Sequence, residues 1–130
     1  MSGKKLLLDT NIIIGLFANN ETIVTNLSEA KTVFIPSIAL GELYFGAEQS
    51  RLRSANIQKV ESFAKSCVVL GCDIKTAKYY GRLKAQLKAK GTPIPENDIW
   101  IASLALQHKL LLVTRDKHFK NIAGISIIEW

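Results

Sequence analysis

Five short apolar runs with almost no polar alternation constrain the fold of this chain more than any other feature: "KKLLL" (4–8), "TVFIP" (32–36), "CVVL" (67–70), "LLLVT" (110–114) and "ISIIE" (125–129). A strand with one face in water alternates apolar and polar residues, so a run without alternation has to be covered on both faces. Helix-length segments lie between the runs and supply that cover. The spacing predicts helices beginning near Thr10 or Asn11, over about 20–30, behind Ser37 as N-cap, and over about 51–65, 74–90 and 95–108, with a short helical turn after Asp116. Gly71, Gly91 and Gly124 punctuate element ends. Strands alternating with helices argue for an α/β fold on a mainly parallel sheet of about five strands.

A chain of 130 residues, 48% hydrophobic and 22% charged, fits a single folded domain over 1–130. Asp9 and Asn11 interrupt the first apolar stretch too early for a signal-peptide core, and no apolar segment approaches membrane-spanning length. A cytoplasmic protein with no membrane partner is the expectation. Cys67 and Cys72 have no second pair and no histidine nearby, which leaves a zinc site without ligands; both read as strand-edge residues. The 17 Lys and Arg against 11 Asp and Glu give a net charge of +6, which favours an anionic partner, nucleic acid ahead of a membrane surface.

Most of the carboxylates have ordinary explanations. Glu29, Glu48 and Glu61 sit among polar helix residues, Asp73 precedes a helix as an N-cap, and Glu21 and Glu96 suit the first turn of a helix. Four do not fit so easily. Asp9 in "LLLDTN" and Asp116 in "LLLVTRD" each end a strand, and ligands of parallel sheets bind in the crevice at those carboxyl ends. Glu42 lies in "SIALGELYFGA", a helix expected to be apolar nearly all round and buried, with Gly41 and Gly46 allowing close approach. Asp98 lies in "ENDIWIASLAL", with Ala102 and Ala105 on its own face, so that this helix end can press against the sheet. Taken singly, each acid could cap a helix or sit in a first turn. Taken together, four carboxylates in apolar contexts, with no arranged Lys or Arg partner unless Arg115 serves Asp116, would be costly unless they share a counter-charge. A divalent cation supplies one: Mg²⁺ takes carboxylate oxygens and substrate phosphates, and Mn²⁺ suits the same ligands.

These residues resemble those of the PIN-domain ribonucleases and, among them, the VapC-like toxins of toxin–antitoxin pairs. The likeness spans nearly the whole chain, through "LLLDTN", "PSIALGELYFGA" with its "EL..G" pattern, "PENDIWIASLAL" and "LLVTRDKHFKNI" in that order. It implies a PIN-like three-layer α/β/α sandwich with Asp9, Glu42, Asp98 and Asp116 as the acidic quartet, and it matches Asn11 and Thr114 to polar positions that support the site. Ser103 stands where many relatives carry alanine, a departure that touches nothing catalytic. The resemblance further implies endonucleolytic cleavage of RNA to 5′-phosphate and 3′-hydroxyl ends, a cognate antitoxin that covers the groove, and a homodimer.

The expected reaction is hydrolysis of an RNA phosphodiester, the quartet holding one or two Mg²⁺ or Mn²⁺ ions. With the quartet set aside, 17 basic residues face seven acids, a balance that suits a polyanion. Lys75, Lys78 and Arg82 share one flank of the helix expected over 74–90 and could form an RNA track, with Lys84 and Lys88 on another flank and Tyr79 between as a stacking residue. A solvated face with Tyr80, Leu83 and Leu87 turned inward explains the same pattern, and Arg115 is open between phosphate contact and plain surface. His108 and His118 read as element-end residues, and Trp100 and Trp130 as packing residues, Trp100 a candidate for a subunit interface. Three rival functions are weaker. An aspartate-based phosphatase needs a second aspartate where Asn11 stands, a non-catalytic RNA-binding module has no use for an intact quartet, and an RNA-processing nuclease outside toxin–antitoxin systems differs only in biological role.

Overall fold

A computed structural model describes residues 5–130. The chain runs β1 (Lys5–Leu8), α1 (Thr10–Phe17), α2 (Glu21–Ser28), β2 (Thr32–Pro36), α3 (Ser37–Glu48), α4 (Arg53–Lys65), β3 (Val68–Leu70), α5 (Ile74–Lys90), α6 (Glu96–His108), β4 (Leu111–Val113), a 3₁₀ turn (Lys117–Asn121) and β5 (Ile127–Ile128). The five strands form one all-parallel sheet in the order β3-β2-β1-β4-β5. Each run without alternation in the sequence has become a strand. The proposed start of the first strand at Lys4 lies outside the described residues.

Both faces of the sheet are covered, as the runs require. Leu7 and Leu112 point to one side, into a core with Leu83 and Leu87 of α5, Ile99, Ile101 and Leu104 of α6, and Phe119. Leu6, Leu8 and Val113 point to the other, against Ile12 and Ile13 of α1, Ile23 of α2, Ala39 and Leu43 of α3 and Val60 of α4. Neighbouring residues of one strand thus feed opposite cores, the two-residue period of a pleated strand. The result is a three-layer α/β/α sandwich.

Strands are shorter than the apolar runs that encode them. The outermost residues still hydrogen-bond across the sheet: Asp9 N–H reaches the Val113 carbonyl at 3.0 Å, and Thr114 N–H the Ile128 carbonyl at 3.1 Å. These bonds hold the two strand ends side by side. Ser37 is not the N-cap of α3; Pro36 occupies that position without a side-chain bond, because the extended backbone of β2 runs straight into the helix. Nor is α3 buried all round, since Phe45 is 68% exposed and nothing approaches a Cβ placed on Gly41 or Gly46. Asp73 does cap α5, in a capping box with Thr76. Cys67 and Cys72 are free and flank β3.

Candidate active site

The sheet order places β1 beside β4, where the chain, having built outward through β2 and β3, crosses back to the other side. Ligands of open α/β sheets bind outside the strand carboxyl ends at such a reversal. Asp9 and Asp116 follow these two strands, Glu42 reaches in from α3, and Asp98 comes from the first turn of α6. All four line one cleft of about 720 Å³, together with Thr10, Asn11 and Asn97.

Local hydrogen bonds fix three of the four side chains, those of Asp9, Glu42 and Asp116. Asp9, 4% exposed, is the N-cap of α1: its Oδ1 accepts the Thr10 N–H at 2.8 Å and its Oδ2 the Thr114 hydroxyl at 2.7 Å. The same Thr114 oxygen accepts the Asp116 N–H at 3.0 Å, so one buried hydroxyl ties the two strand-end acids together. Thr10 does likewise on the other side, donating its hydroxyl to Glu42 Oε1 at 2.6 Å. Asp116 Oδ1 accepts the His118 N–H at 2.9 Å and thereby caps the 3₁₀ turn. His118 brings its ring as well as its backbone: Nδ1 lies 3.0 Å from Asp116 Oδ1 and 3.5 Å from Asp98 Oδ2.

The electrostatics follow from this crowding. Asp98 is pushed up to about 6, first by burial, then by the charges of Asp9 and Asp116, with His118 opposing. Burial also raises Asp9, against the bonds from Thr114 and Thr10 and with the charges of Asp116 and Glu42. Among the described residues, the ion pairs made by Lys and Arg are Arg53–Glu48 and Lys84–Glu96, and neither touches the quartet. Arg115 is not the counter-ion of Asp116; it donates to the Trp130 carbonyl and, at 3.5 Å, to Asn20. The donor set fits a divalent cation, for carboxylate oxygens of Asp98 and Asp116 and a ring nitrogen of His118 all lie within 4.8 Å of one another.

Sequence reasoning passes over Thr10, whose position looks like an ordinary helix start, and places His118 at an element end without a role. The short spacing from Asp116 to His118 is the one sequence signal for the latter. His108 does stand at an element end, the last residue of α6. Lys75, Lys78 and Arg82 are all exposed, but the structure does not bring the first two to the cleft. α5 runs antiparallel to α6, its start meeting Gln107 through Asp73 and Thr76, and its middle meeting Glu96 through Tyr80 and Lys84. Gln107 lies nine residues beyond Asp98, which is about 14 Å along the helix. Of the basic residues of α5, Lys84 is tied close to the start of α6 through Glu96, and Lys90, towards the end of the helix, is bonded to the Asn121 carbonyl at 3.2 Å. Arg82 lies over the Tyr79 ring at 5.4 Å, and Trp100 stacks on Tyr80 at 4.1 Å.

The PIN domain family profile matches residues 6–125, and the chain belongs to that family. Its relatives within the family are VapC ribonucleases. It is 36% identical over 130 residues to the tRNA(fMet)-specific endonuclease VapC of Salmonella typhimurium, covering 97% of this chain and 98% of that protein. The DNA-bound VapBC crystal structure from Salmonella typhimurium superposes with a TM-score of 0.91 at 35% identity, covering 98% of each chain. VapBC-5 of Mycobacterium tuberculosis, a member of the VapBC family of toxin–antitoxin systems, superposes with a TM-score of 0.75 at 26% identity over 96% of both chains.

Proposed function

We propose that this chain is a toxin of the VapC kind that cuts RNA internally by hydrolysis, with Mg²⁺ or Mn²⁺ held by Asp9, Asp98 and Asp116 and by Glu42 directly or through water. One observation carries the reading: four carboxylates from four elements share a cleft into which no Lys or Arg of the described residues reaches within ion-pair distance. Like charges held so close are tolerable in a nuclease that presents them to a cation. When bound, that cation lowers the pKa of an attacking water and neutralises charge on the scissile phosphate.

The residues of the chain prepare the place. Thr114 and Thr10 hold Asp9, Asp116 and Glu42 in position, and Asn11, exposed on the cleft wall, is free to orient a water or a phosphate oxygen. Ile14 and Phe45, 50% and 68% exposed, line the cleft on its open side. We assign that apolar rim to an antitoxin segment, which would cover the cleft and lend the carboxylates a basic side chain. The Salmonella relative, named for tRNA(fMet), makes a tRNA the first substrate to try. A homodimer in the cytoplasm completes the reading; no helix of the described residues is long and apolar enough to cross a membrane.

The test is RNA cleavage, with initiator tRNA among the substrates and Mg²⁺ or Mn²⁺ present. Asp9→Asn and Asp98→Asn should each lose at least ~100-fold in rate, and EDTA should stop the wild type. Unchanged cleavage in both variants would overturn the assignment.

A further inference from the structure

Beside the cleft stands a ring nitrogen, that of His118, which meets two of the cleft's carboxylates. His118 sits on the 3₁₀ turn, whose next residue, Phe119, is fully buried in the core and anchors the turn. With Phe119 turned inward and the His118 N–H bonded to Asp116, the imidazole is delivered to the mouth of the site. Its Nδ1 faces two carboxylates from different elements, at 3.0 Å and 3.5 Å. Donors in neighbouring positions of an octahedral shell, each 2.0–2.1 Å from the ion, lie ~3.0 Å apart. The contact to Asp116 has that spacing, while the contact to Asp98 is wider and long for a hydrogen bond, so that the nitrogen and the two carboxylates face one another with all three donor atoms within 4.8 Å. Asp9, by contrast, has both oxygens engaged by Thr10 and Thr114 and fewer lone pairs to offer.

We propose that His118 is a direct ligand of the cation, completing a mixed set with Asp98 and Asp116, and that its nitrogen makes the site select Mn²⁺ over Mg²⁺. Mg²⁺ is a hard ion that keeps waters and oxygen ligands and gains little from imidazole. Mn²⁺ accepts the same oxygens and, although it stands at the weak end of the first-row transition series, takes a nitrogen ligand more readily than Mg²⁺ does. The assignment rests on the cation reading of the cleft and adds a ligand and a preference to it.

The test uses pulsed electron paramagnetic resonance on the full chain loaded with Mn²⁺, with calorimetric titration of both ions. The wild type should show ¹⁴N modulation from a coordinated imidazole, converted to the ¹⁵N pattern by labelled histidine. His118→Ala and His118→Gln should lose it, while His108→Asn, which changes the other histidine of the chain, should keep it. Mn²⁺ affinity should fall at least ~10-fold in the two His118 variants, and Mg²⁺ affinity less than ~3-fold. Mn²⁺ bound to the wild type without nitrogen coupling would overturn the ligand and leave the cation reading standing, and needs no variant to fold. Equal losses for the two ions would overturn the preference. Failure of the wild type to bind either ion more tightly than Asp98→Asn does would remove the cation reading and this proposal together.

Discussion

Asp98 carries the strain of the site in a single group. Its ordinary value is 3.8 and its folded value about 6, so the native state holds the proton more tightly than the unfolded chain. The sign follows: the stability this group contributes is fully present below about 3.8 and is lost as pH rises through about 6. In the absence of metal, the stability of the wild type relative to Asp98→Asn should therefore decline between pH 4 and pH 7, as read by denaturant titration at each pH. A difference that stays flat across that range would remove the crowding argument. Thr114 carries a second expectation, because its hydroxyl joins Asp9 to Asp116 while 2% exposed. Thr114→Val should cost about 1–3 kcal/mol by urea denaturation and lower cleavage about 10–100-fold. A variant as active as the wild type would mean that the strand ends hold the acids without it.

Among the elements, the strands were legible because apolar runs without alternation have one physical explanation, burial on both faces, whereas their order in the sheet was not. The acids at the ends of β1 and β4 were legible for the same reason, as charges that interrupt such runs. Burial of α3 was not, because Gly41 and Gly46 are small without being close to anything. His118 was hidden because its second acid, Asp98, lies on another element and only the fold brings them together. The basic flank of α5 shows the same gap: the helix pattern groups Lys75, Lys78 and Arg82, yet the antiparallel pairing with α6 carries the start of the helix away from the cleft. Replacing Lys88 and Lys90 by Ala should flatten the salt dependence of RNA affinity by about 1.4 in log–log slope if both contact phosphate on a single strand. Replacing Lys75 and Lys78 should flatten it less, and the reverse ranking would put the RNA on the far end of α5.

Across the whole molecule, the reversal of sheet order between β1 and β4 sets two strand ends side by side, and α3 and α6 bring two further acids to the same point. The sheet and its two cores are stable enough to hold together groups that repel one another, a conflict of the kind concentrated at functional sites. If this repulsion is kept for a cation, thermal unfolding of wild type and Asp98→Asn, in EDTA and then in Mn²⁺ near neutral pH, reads it out. In EDTA the variant should melt above the wild type, because one of the clustered charges is gone. Mn²⁺ should then raise the wild type by ~3 °C or more and leave the variant nearly where it was. A variant no more stable than the wild type in EDTA, and raised equally by Mn²⁺, would contradict the account.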